Sequence, residues 1–126
     1  MLNERVRQVL ERYEKVVFAY LFGSSAGSDA VHARDIDIAV YLSEKDKKAR
    51  NEIKLDLYVT LSRSLNTNEV DVLVLNDAKN LILRHEIVLN GIVLLDRDRD
   101  LRFDYEQKII HSAIDFRENR RAMMGV

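Results

Sequence analysis

Three aspartates and one short glycine-serine turn are the residues best placed to do chemistry. Asp35 and Asp37 stand two apart in DIDIAV, a run otherwise apolar enough to be a strand. Side chains two apart on a strand point to one side, so the two acids share a face while Ile36, Ile38 and Val40 share the other. Like charges this close repel and disfavour each other's ionisation. A divalent cation between them relieves that repulsion, and hard carboxylate oxygens suit magnesium. Upstream, Gly23-Ser24 follows the wholly apolar run Val16–Phe22. A glycine there lets the backbone approach a ligand, and free N–H groups in such turns attract phosphate. Asp71 is a third acid, set between Val70 and Val72 in a strand pattern, where an unpaired charge is expensive.

The elements that must hold these residues follow from periodicity. Leu2, Val6, Val9, Leu10 and Tyr13 fall on one helical face. Val16–Phe22 is apolar on both sides, as a central strand is. Gly23–Arg34 reads as a loop and Asp35–Leu42 as a second strand. Ser43 is the expected cap of the next helix, whose buried stripe is Ala49, Ile53, Leu57, Leu61 and Leu65. Asn66–Asn68 is a polar turn, and Glu69–Leu75 alternates as a third strand. Asn76 or Asp77 is expected to cap a helix that Asn90-Gly91 ends. A short strand, Ile92–Leu95, leads through DRDRDLRFD to a last helix from about Asp98 to Arg121, with Phe103, Ile110, Ala113, Ile114 and Phe116 available for packing. Strands alternating with helices give an α/β or α+β class with one mixed sheet. The mixed charges of DRDRDLRFD read as a solvated turn rather than a nucleic-acid patch.

Composition narrows the functions. The chain has 126 residues, which suits a single domain spanning 1–126. A formal net charge of -1 supplies no basic field to recruit nucleic acid. The absence of cysteine excludes disulfides and thiolate chemistry. The charged N-terminal stretch lacks a signal core, and the longest apolar run is far shorter than the ~20 residues a membrane helix needs, so a cytoplasmic protein is expected.

Gly-Ser, ten intervening residues, then Asp-x-Asp resembles the signature of the polymerase-beta-like nucleotidyltransferases, and the short chain resembles their minimal nucleotidyltransferase branch. The resemblance is strongest over Phe18–Tyr41 and recurs at Glu69–Asn76 and Leu81–Leu95. It implies the fold of that family, a small mixed sheet flanked by helices. It implies a carboxylate triad of Asp35, Asp37 and Asp71 around magnesium, with Asp71 beside the acceptor hydroxyl. Gly23, Ser24 and Ser25 become the nucleotide-binding turn, and ATP the substrate. Arg84 stands at a position that makes it a further candidate phosphate contact, whereas His85, His32 and His111 read as ordinary structural or surface residues. The branch implies AMP transfer to a tyrosine of a partner HEPN-domain toxin, with this chain as antitoxin. Two other readings stand beside it: a non-catalytic module that neutralises its partner by covering it, and transfer to a small molecule, for which the chain lacks an acceptor domain. Gly27, Ser28 and Arg34 depart from the family's usual residues around the phosphate loop.

Overall fold

A computed structural model describes residues 2–23 and 35–123, the last four as backbone alone. The elements run α1 (Leu2–Glu11), β1 (Val16–Phe22), β2 (Ile36–Leu42), α2 (Lys47–Leu65), β3 (Val70–Val74), α3 (Leu81–Asn90), β4 (Ile92–Asp96) and α4 (Arg99–Met123). The four strands form one sheet in the order β3-β2-β1-β4. β1 runs antiparallel to both β2 and β4, while β2 and β3 are parallel. The mixed α+β sheet expected from the alternation of patterns is therefore present, with the apolar β1 inside it.

Each sheet face has its own core. Ile38, Val40 and Leu42 of β2 join Val70, Val72 and Val74 of β3 against Val6, Val9 and Leu10 of α1 and Leu57 and Leu61 of α2. The alternate residues Ala39 and Tyr41 turn to the opposite face, with Phe18, Tyr20, Leu83, Ile87, Leu101 and Tyr105. Phe18 stacks on Tyr41 with ring centroids 4.8 Å apart, and Tyr105 leans on both. Full burial of each large apolar side chain contributes about 1.5–3 kcal/mol, so the two layers fix which face every strand residue takes. That assignment puts Asp37 and Asp71 on the α3/α4 face.

Several local expectations are corrected. The cap of α2 is Asp46, not Ser43: its carboxylate accepts from the Ala49 N–H at 3.0 Å. α3 begins at Leu81 with Asn80 as cap, later than expected. Asn76 instead bridges the Leu42 backbone, donating to its carbonyl and accepting from its N–H, both at 2.9 Å. Asp77 forms a two-pronged pair with Arg50 of α2, which holds the Asp77 carboxyl below its usual range. Both residues leave the helix because their side chains are engaged across the fold. In α4 the buried positions are Ile109 and Ala113, and Leu101 and Tyr105 pack on the core of the α3/α4 face; Phe103, Ile114 and Phe116 are exposed. The four inward residues recur every four positions, a stripe that the more hydrophobic residues of the opposite face obscure.

DRDRDLRFD is more than a solvated turn. Arg97 donates to the carbonyls of Glu11, Tyr13 and Val16, closing the end of α1 onto β1. Arg102 pairs with Asp96 at 2.7 Å and with Glu106 at 3.0 Å, and Glu106 accepts from the buried Tyr20 hydroxyl. Burial and the neighbouring Glu106 push the Tyr20 hydroxyl far above its ordinary pKa, so it stays a donor. Among the described residues, no helix is long and apolar enough to cross a membrane.

Candidate functional site

The acids and the glycine meet because three strands present the same end side by side. β1 ends at Phe22, whose register partner on β2 is Asp37. Asp37 is in turn the register partner of Asp71 on the parallel β3. Partners on neighbouring strands project to one face about 5 Å apart. Asp35 precedes β2, two positions before Asp37, and the Ile36 N–H donates to the Glu69 carbonyl at 2.8 Å to hold the start of the strand in line.

Gly23 closes the arrangement. Its φ is +72°, a left-handed conformation that suits glycine. A Cβ built on it would collide with the Asp37 carboxylate, so a backbone without a side chain is what lets the chain turn over the acid. The two sequence observations, a glycine after an apolar strand and an acid pair on the next, are one packed contact in space.

Electrostatics mark Asp37 among the three. Burial pushes its carboxyl above the ordinary range, and the charges of Asp71 and Asp35 push it further the same way. Asp37 is half-buried, while Asp35 and Asp71 are exposed. Asp71 does not carry the burial cost expected of it, because β3 is an edge strand and its acid faces outward. Its side-by-side register with Asp37 holds all the same. Among the described residues, no three acids or histidines are gathered closely enough to hold a metal ion together. Oxygen donors of this kind still fit magnesium, which near nucleotides takes one or two carboxylates and completes its shell from substrate phosphates and water. Ser24, Ser25, Gly27, Ser28, His32 and Arg34 lie outside the described residues.

Arg84 sits elsewhere. It lines a cavity with Tyr41 and Leu75, at the opposite end of the same sheet face from Asp37 and Asp71. His85 is half-buried beside Ala113 and Phe116, and His111 is exposed, both in keeping with ordinary structural positions. Tyr105 and Lys108, which the sequence does not single out, share the cavity with Arg84. Their spacing of three along a helix was the available signal, hidden among the many charges of α4.

Comparison with known proteins agrees with this fold. The family model described as polymerase beta, nucleotidyltransferase, matches residues 4–100. No curated protein is a significant match in sequence. Among solved structures, a chain from a mutant form of the MntA–HpeT toxin–antitoxin pair superposes with a TM-score of 0.77 at 23% identity, covering 98% of this chain and 95% of that one. A chain from a toxin–antitoxin structure with AMP-PNP gives 0.75 at 24% identity, covering 99% and 97%. A chain from the Shewanella oneidensis complex of a tri-AMPylated HEPN toxin with its MNT antitoxin gives 0.71 at 23% identity, again covering 99% and 97%. At these identities the likeness is one of fold.

Proposed function

This chain belongs to the polymerase beta nucleotidyltransferase family, and from that premise we propose that it moves AMP from ATP to a hydroxyl group in a magnesium-dependent reaction. The observation that carries the reading is the register of Asp37 with Asp71 behind a Gly23 turn that only a side-chain-free residue permits. In this reading Asp35, Asp37 and Asp71 hold magnesium, which when bound neutralises charge on the triphosphate and lowers the cost of ionising the acceptor. Gly23, Ser24 and Ser25 hold the β and γ phosphates in line with the acceptor. Asp71, exposed on the edge strand, takes the proton from the attacking hydroxyl. The hydroxyl oxygen bonds to the α phosphorus, the bond from that phosphorus to the bridging β oxygen breaks, and pyrophosphate leaves with its electron pair.

The acceptor we propose is a tyrosine of a HEPN-domain toxin, which makes this chain the antitoxin of the pair. Support comes from the fold shared with chains of toxin–antitoxin complexes, one of them holding an AMPylated HEPN toxin. A second reading, a module that neutralises its partner by binding alone, is favoured by the departures from the family's phosphate-loop residues at Gly27, Ser28 and Arg34. One experiment separates them. The chain and its HEPN partner are incubated with ATP and magnesium, and the partner's mass is followed. The expected result is an added AMP group that is absent with Asp37→Asn and Asp71→Asn. A tight complex with no added mass overturns the enzymatic reading in favour of the module.

A further inference from the structure

At the end of the sheet remote from Asp37, the α3/α4 face opens into a cavity of about 420 Å³ whose lining includes Tyr41, Arg50, Arg84, Asp104, Tyr105 and Lys108. Its charges are unequally engaged. Arg50 is committed to Asp77, with contacts of 2.6 and 3.1 Å, and to the carbonyls of Glu44 and Lys45. Lys108 pairs with Asp104 at 3.0 Å. Arg84 has no ion pair among the described residues, and its buried Nε has no hydrogen-bond partner there. The buried Tyr105 hydroxyl finds no acceptor for its own proton: its one polar neighbour is the Arg84 guanidinium, which acts on it by charge and as a side-chain hydrogen-bond donor. Two buried donors without an acceptor, on residues that line one cavity, are costly unless a ligand accepts from their groups.

We propose that this cavity is a binding site for a phosphate-bearing small molecule, held by the Arg84 guanidinium and the Tyr105 hydroxyl, and separate from the carboxylate site. A guanidinium presents its N–H groups as a fork that matches phosphate oxygens. With Arg50 and Lys108 offset by their own acids, the cavity carries the unmatched charge of Arg84, which selects an anion. Burial pushes the Tyr105 hydroxyl up to about 12, against the opposing influence of Arg84, so it remains a proton donor at neutral pH. The volume exceeds that of one phosphate and admits a group attached to it. Tyr41 lies four residues along β2 from Asp37, about 13 Å at ~3.3 Å per residue, so a single phosphate does not reach both ends.

The test is calorimetric titration of the full chain with inorganic phosphate, AMP and adenosine in EDTA, where the carboxylates have no metal and repel phosphate. Saturable phosphate binding is expected, weakened about tenfold or more by Arg84→Gln and severalfold by the near-isosteric Tyr105→Phe. Lys54→Gln, which removes an equal charge outside the cavity, is expected to leave the affinity unchanged. AMP binding tighter than phosphate identifies a nucleotide as the ligand; equal affinities identify free phosphate. If Arg84→Gln does not fold, Tyr105→Phe decides alone. The proposal is overturned by an absence of saturable binding, by adenosine binding as well as AMP, or by affinity that Tyr105→Phe leaves intact. Because no magnesium is present, these outcomes are independent of whether the chain transfers AMP.

Discussion

At Asp37 the surroundings all act in one direction: burial first, then Asp71, then Asp35, each disfavouring the ionised carboxylate. An acid whose folded pKa is raised binds more protons in the native state than in the unfolded one. Its ionisation therefore removes stability as pH rises from the ordinary carboxylate value through the raised one. Asp37→Asn eliminates that loss. In magnesium-free buffer the variant is expected to match or exceed the parent in melting temperature above this window, and to show a flatter pH dependence within it. Magnesium is expected to raise the parent's melting temperature by ligand linkage and to leave the variant's unchanged. A clear fall in stability of the metal-free variant at neutral pH, measured by thermal denaturation, would mean that Asp37 is held by a favourable pair instead.

Elements divide into those that pattern alone reveals and those that distant partners decide. β1 was legible because Val16–Phe22 is apolar on both faces, and a strand between two others needs that. The β2 and β3 alternations correctly placed Asp37 and Asp71 on the face opposite their valines and isoleucines. Their register was not legible, because it is set by the pairing of two strands separated by α2. The start of α3 was misplaced because Asn76 and Asp77 are good cap residues locally but bond to Leu42 and Arg50 instead. The contact of Gly23 with Asp37 likewise required the antiparallel turn-back of β2 on β1, although both residues stood out in the sequence. Arg97 is the most consequential case: a residue in an ordinary-looking charged run closes three carbonyls from the α1 end and β1. Arg97→Ala is expected to cost about 1–2 kcal/mol, since hydrogen bonds to a charged donor exceed neutral ones. For a chain of this size that lowers the melting temperature by about 5 °C. An unchanged melting temperature would return this run to the status of a solvated turn.

At the scale of the described molecule, the sheet keeps the two proposed sites apart along one face. One end brings Gly23, Asp37 and Asp71 together, and the other holds the Arg84 cavity, with Tyr20 and Ala39 in the face between. The opposite face, covered by α1 and α2, carries the larger core and supplies rigidity. Such a division suits a reaction in which small shifts of reacting groups are costly, because the acids sit on strands whose positions are overdetermined by packing. The most direct measurement of nucleotidyl transfer supplies the chain and its HEPN partner with magnesium and ATP labelled at either the α or the γ phosphate. The expected result is label on the partner from α-labelled ATP only, with γ label recovered as pyrophosphate and the transfer abolished by Asp71→Asn. Label from the γ position, or transfer that survives Asp71→Asn, would contradict it.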